Sequence, residues 1–299
     1  MDLFASKKCF CYLCSQIVIV QMRYSFDNHT LNMERVVNAR ELGGYVLPDG
    51  RRIRRGLLLR GGDLGHASDN DVRRLSEEYK VAYVFDFRTE GEVIHLPDRN
   101  VPGARNVWMP TIDPETEQLS NLHLPVAAYR DLENFLFRNS SDETVQNVAR
   151  QLYPALVDNE YTQLQYAAFI QTIVKMIKSG VSDRAVYWHC SQGKDRTGLG
   201  ATFLLLALGA DEELILEDFN LSNQFYKEDV DRLIERIRAR GGNEDDFDTV
   251  RAFVGVSEKN YISTLNSIVQ NYGSLQGYLS DAIMVSEDDI NLLKAYFLE

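Results

Sequence analysis

Apolar and polar positions along this chain fall into segments of two periods, short β-branched or aromatic runs and longer stretches with helical spacing. The run VAYVFDF at 81–87 predicts a buried strand, as does the shorter run Ala185–His189. Arg51–Ile53 and Gly56–Leu59, after the turn Pro48-Asp49-Gly50, predict two more strands. Ser68 opens a helix running to Tyr79, with Asp69 and Asp71 in its first turn. Tyr161–Lys178 places Ala168, Ile170, Ile173, Val174 and Ile177 on one side, an amphipathic helix for which Gly180 supplies the stop. Thr197–Leu208 is apolar all round, which predicts a helix buried on every face and ending at Gly209. Ala127–Phe137, Glu143–Gln151, Asp211–Tyr226 and Val230–Arg240 also read as helices, and Ser257–Glu299 as mostly helical. Gly241-Gly242 and the acidic run to Asp248 read as a loop, and the polar stretch 115–150 as a helical insertion. Strands alternating with helices, without a repeat or a Pro- or Ser-rich linker, predict one α/β domain over 34–299.

Composition adds little to that picture and removes some alternatives. The 299 residues are 44% hydrophobic and 25% charged, enough to bury a core without staples. A net charge of -12 argues against a general nucleic-acid binder, so no nucleic-acid partner is expected. It does not forbid a small basic cleft, because local potential governs a pocket.

Residues 1–33 stand apart as an extension. Lys7 and Lys8 precede a mostly apolar stretch from Cys9 to Met22, resembling a short secretory signal but lacking a clear cleavage site. The stretch is short for a membrane span. A surface or core-covering segment, or an extension upstream of a natural start at Met22 or Met33, is the favoured reading. A cytoplasmic location goes with it; a signal or anchor would mean secretion or surface attachment. Cys9, Cys11 and Cys14 lack a matching second ligand pair, so no metal site is expected there.

The fourth cysteine, Cys190, lies alone in the body of the chain, within Val186–Gly200, VYWHCSQGKDRTGLG. Cys190, Ser191, Gln192, Gly193, Lys194, Asp195 and Arg196 form a loop between the strand and the buried helix. Such a loop aims backbone N–H groups and the helix dipole at an anion. Gly193 permits a sharp turn. Arg196 offers a planar fork to two phosphate oxygens. A cysteine at a helix N-terminus beside cations acts as a thiolate nucleophile. Thr197 can donate a hydrogen bond to its sulfur. His189 reads as an orienting residue rather than a base.

The segment HCSQGKDRTG resembles the signature of protein tyrosine phosphatases. The Lys194-Asp195 pair is similar to the atypical bacterial and fungal tyrosine/serine phosphatases, a group with a mycobacterial tyrosine phosphatase B type. Asn38–Gly44 (NARELGG), Arg54–Leu64 (RRGLLLRGGDL, with Gly61 where Ser is commoner), Asp86–Glu92 (DFRTEGE), Asp218–Asn223 (DFNLSN) and Tyr272–Leu279 (YGSLQGYL) resemble further motifs of that group in the same order. The resemblance implies a tyrosine-phosphatase-like fold, a central mostly parallel sheet flanked by helices. It implies hydrolysis of phosphate monoesters through a phosphocysteine on Cys190, with Arg196 clamping phosphate and no metal or cofactor. It makes Asp86 the general acid, with Asp195, Asp98 and Asp113 as rivals. It makes Arg60 a structural or pocket contact. The implied substrates are phosphotyrosine proteins first, then phosphoserine or phosphothreonine. Lys194 also brings in phosphoinositides, since a cation there suits a multiply phosphorylated headgroup. A non-catalytic phospho-binding module is the weaker alternative, because nucleophile and arginine are both present.

Overall fold

The computed structural model describes residues 28–113 and 132–299. The head 1–27, with Cys9, Cys11 and Cys14, and the start of the helix expected at Ala127 lie outside the described residues.

Five strands form one sheet: β1 (Arg40–Glu41), β2 (Leu58–Gly61), β3 (Tyr83–Asp86), β4 (Arg105–Trp108) and β5 (Val186–His189). Their order is β1-β2-β5-β3-β4; β1 runs antiparallel to β2, and every other pairing is parallel. The strand last in sequence therefore lies at the centre, buried on both faces as the interior of a parallel sheet requires. Alternate residues feed two cores, as the pleat dictates. Leu58, Phe85, Val186 and Trp188 enter the larger one, while Leu59, Val84 and Tyr187 enter a smaller one with Leu64 and Leu75.

Twelve α-helices surround the sheet among the described residues: α1 (Asp69–Arg73), α2 (Glu90–His95), α3 (Leu132–Asn139), α4 (Glu143–Val157), α5 (Glu160–Lys178), α6 (Asp195–Leu208), α7 (Glu212–Phe225), α8 (Lys227–Ala239), α9 (Glu244–Phe253), α10 (Glu258–Tyr272), α11 (Leu275–Asp281) and α12 (Glu287–Phe297). Their starts follow local capping chemistry. Ser68 and Asp71 make a capping box on α1, Asn159 accepts from the Tyr161 and Thr162 amides at the head of α5, and Asp211 accepts from the Leu214 amide. Helix α6 is buried from Thr197 to Leu208, as its uniformly apolar sequence requires, and Gly209 ends it in the left-handed conformation at φ 97°.

Several expectations need correction. The strand expected at Gly56–Leu59 sits two residues later, at Leu58–Gly61. Arg51–Ile53 is not a strand; Arg52 and Ile53 make only isolated bridges, to Val46 and Leu298. Its partner is the far end of the chain, with the Arg52 N–H donating to Glu299 O at 2.9 Å and the Arg52 carbonyl accepting from the Glu299 N–H at 2.9 Å. The segment read as a loop to Asp248 begins α9, which Asn243 caps by accepting from the Asp245 and Asp246 amides. Helix α3, with α8, α9 and Val145 of α4, closes a third small core around Leu136, Leu233, Ile237 and Val250. No helix among the described residues is long and apolar enough to cross a membrane.

Candidate active site

The segment 190–196 leaves the C-terminal end of central β5 and enters α6, at the point where the sheet's connections diverge to either side. Cys190 stands at its head, only 2% exposed. Gly193 makes the turn at φ 66°, and a Cβ there would come within 2.2 Å of the Gly61 carbonyl carbon. Glycine is thus required both by the left-handed conformation and by the close backbone crossing.

The loop is held from behind by its carbonyl oxygens. Ser191 O accepts from the Asp63 amide at 3.2 Å, and Gln192 O from the Tyr226 hydroxyl at 2.6 Å. Gly193 O accepts from Asn38 Nδ2 at 2.9 Å and Arg60 at 3.0 Å. Lys194 O accepts from the Gly198 amide at 2.8 Å and Arg196 O from the Tyr166 hydroxyl at 2.9 Å. In a trans peptide each C=O opposes the N–H of the next residue. Donors on the outside of the loop, at the Ser191, Gln192 and Gly193 carbonyls, therefore turn the Gln192, Gly193 and Lys194 amides toward the inside.

Arg60 and Arg40 belong to this backing through one fully buried acid, Asp218. Arg60 meets Asp218 Oδ2 at 2.5 Å, Arg40 meets Oδ1 at 3.4 Å, and the Tyr45 hydroxyl donates to Oδ1 at 3.1 Å. Burial opposes the Asp218 charge, but the two guanidiniums hold its carboxyl below the usual range. Burial and Arg40 push Arg60 down to about 10, still charged at neutral pH.

At the foot of the loop, both terminal nitrogens of Arg196 bind Glu92, each at 2.7 Å. Glu92 also accepts from the Ser191 hydroxyl at 2.5 Å and from the Thr89 amide at 2.8 Å, completing the capping box of α2. Burial disfavours the charge, yet Arg196 and these hydrogen bonds hold the Glu92 carboxyl at about 2. Sequence reasoning placed no role on Glu92. The Thr89-x-x-Glu92 spacing was a visible signal for a capping box, whereas the partnership with Arg196, 104 residues away, was not.

Thr197 is fully buried, and its hydroxyl has no hydrogen-bond partner among the described residues. Asp195 accepts from the Tyr153 hydroxyl at 2.6 Å and sits 3.2 Å from the Lys194 ammonium. Asp86 pairs in register with His189, next to the cysteine. Both its oxygens are engaged by Arg88, Oδ1 by Nε at 2.9 Å and Oδ2 by a terminal nitrogen at 2.7 Å. Asp98 lies 3.0 Å from His189 Nε2 and 2.8 Å from Arg88. Burial lowers the His189 imidazole, but Asp98 and Asp86 outweigh it and raise it to about 9. Asp86, Asp98 and His189 are close enough to surround an ion, but the Arg88 guanidinium already pairs with both carboxylates. Asp113, another rival acid, accepts from Asn159 Nδ2 at 3.2 Å; nearby, Met109 is core, and Trp108 is 52% exposed with its indole N–H on Arg88 O.

Fold and loop together define a class by architecture: an α/β sheet whose central parallel strand runs through a Cys-x5-Arg loop into a buried helix. A family model described as the tyrosine phosphatase family matches residues 31–299, and the chain belongs to that family. It is a protein-tyrosine phosphatase, a hydrolase of phosphate monoesters. It is 27% identical over 273 residues to a Cupriavidus necator protein named as a tyrosine-protein phosphatase, covering 90% of this chain and 89% of that one. It is 28% identical over 274 residues to the triple specificity protein phosphatase PtpB of Mycobacterium tuberculosis, covering 85% of this chain and 92% of that one.

Proposed function

We propose that the chain hydrolyses phosphotyrosine in proteins, and phosphoserine or phosphothreonine more slowly, through a phosphocysteine on Cys190. The observation that carries this reading is the loop whose Ser191, Gln192 and Gly193 carbonyls are bound from outside, which turns the amides that oppose them inward, beside a buried cysteine. Such amides, with Arg196 and the α6 dipole, suit the equatorial oxygens of a transferring phosphoryl group. The Cys190 sulfur attacks phosphorus and the ester P–O bond breaks. Asp86 gives its proton to the leaving oxygen. Water then attacks the phosphocysteine, the P–S bond breaks, and Asp86 takes the water proton. The buried Thr197 hydroxyl is the donor assigned to the departing thiolate. To act as acid, Asp86 must exchange part of its Arg88 contact for a proton; its register next to His189 supports the assignment over Asp113. The breadth beyond tyrosine rests on the likeness to a triple specificity phosphatase.

The test is release of phosphate from para-nitrophenyl phosphate with chelator present, compared with Cys190→Ser. Loss of activity in the serine variant is expected, and full activity there would sink the mechanism. Asp86→Ala should slow esters with poor leaving groups more than those with good ones; an equal loss on both removes Asp86 as the acid.

A further inference from the structure

The cation inside the loop does not face the way its position in the sequence suggests. Lys194 is 2% exposed, and its ammonium donates to Gly255 O at 2.6 Å, Phe253 O at 2.8 Å and Ala252 O at 3.2 Å. An ammonium has three protons, and three carbonyls take them. The Asp195 carboxylate lies beside it at 3.2 Å. These carbonyls belong to the last turn of α9 and the residues just after it, where a helix leaves acceptors unpaired and carries partial negative charge. The cage is built rather than incidental. Asn223 of α7 holds the chain at Val256 with a bond to its amide at 2.8 Å and one from its own Nδ2 to the carbonyl at 3.2 Å. Gly255 passes so close that a Cβ there would lie 2.5 Å from Asn223 Oδ1.

We infer that Lys194 is a positioning residue that pins the loop to the C-terminal end of α9, and that the loop's substrate contact at this position is the backbone amide alone. The consequence is a site matched to a single phosphate, with no side-chain cation of the loop held for a second one. This rests on the loop being the phosphate site. Helix α9 belongs to the small third core with α3 and α8, so the pin ties that unit to the catalytic loop.

Three measurements test it. On saturation with inorganic phosphate, the ¹⁵N resonance of the Lys194 ammonium should stay where it is in the free protein, with slowly exchanging protons. In Lys194→Met, hydrogen exchange of the amides at 253–256 should speed up about tenfold or more, because the carbonyl cage loses its donor. Lys194→Arg should be intermediate in exchange. A shift of the ammonium resonance on phosphate binding overturns the inference, as does unchanged exchange at 253–256. If Lys194→Met does not fold, Lys194→Arg and the resonance measurement decide it. Failure of the loop as the phosphate site has a different signature: the wild-type protein would show no phosphate inhibition at all.

Discussion

The Glu92 carboxylate holds Arg196 by both terminal nitrogens, 2.7 Å each, while the same carboxylate receives the Ser191 hydroxyl. One acid on α2 thus joins the second residue of the loop to its last. A bidentate pair of this kind sets the plane of the guanidinium as well as neutralising it. The orientation of the Arg196 guanidinium is therefore decided outside the loop.

Glu92→Gln keeps the shape but removes the charge and one acceptor. We expect kcat to fall by about tenfold to a hundredfold, more than KM rises, since a misplaced arginine weakens transition-state contacts most. The pH dependence of stability checks the same pair. Glu92 sits at about 2 in the folded protein against an ordinary 4.5, so its contribution is fully present above pH 4.5 and is lost as pH falls through about 2. Denaturant unfolding between those values should be steeper in pH for the wild type than for Glu92→Gln.

His189 runs in the opposite direction. Its imidazole is raised to about 9, against burial, by Asp98 and Asp86. The stability it contributes is fully present below about pH 6.5 and disappears as pH rises through about 9. Imidazole NMR should show His189 protonated at neutral pH, and Asp98→Asn should lower its midpoint. A His189 signal that titrates near 6.5 in the wild type would contradict the pairing.

Asp218 is the single carboxylate between two buried guanidiniums, Arg40 and Arg60. Asp218→Asn leaves both cations beneath the loop uncompensated. Breaking a buried pair this way costs about 3–5 kcal/mol. A drop of that size in chemical denaturation is expected, with Arg60→Met partly rescuing the double variant. A surface-like loss below about 1 kcal/mol would show that the network is not a support.

Gly193→Ala combines a positive φ with a Cβ placed 2.2 Å from the Gly61 carbonyl carbon. The loop must open or the Gly61-Gly62 strand end must retreat. We expect loss of about 1–3 kcal/mol and near-complete loss of turnover, because the amides on either side of Gly193 move with it. Gly50→Ala, which also has positive φ but no neighbour within 4 Å, should cost stability alone.

The candidate site was largely legible along the chain. Cys190, Gly193 and Arg196 occur within one short segment, and the strand and helix that frame it are a buried β run and a wholly apolar helix, patterns carried by local composition. Polar elements were harder. The exposed edge strand β4 and the six-residue α2, which buries no residue, have no apolar period to read. The acidic first turn of α9 looks like a loop until its cap is seen.

The sequence by itself determined the α/β class and the strand–loop–helix segment that carries Cys190 and Arg196, because apolar periodicity and short-range spacing are local properties. Only the tertiary structure decided the partners. Glu92 reaches Arg196, Asp218 reaches Arg40 and Arg60, and Lys194 turns to the end of α9 instead of standing with the loop's inward amides. Each pairing joins residues about 60 to 180 positions apart, where no local pattern specifies which buried charge meets which acceptor.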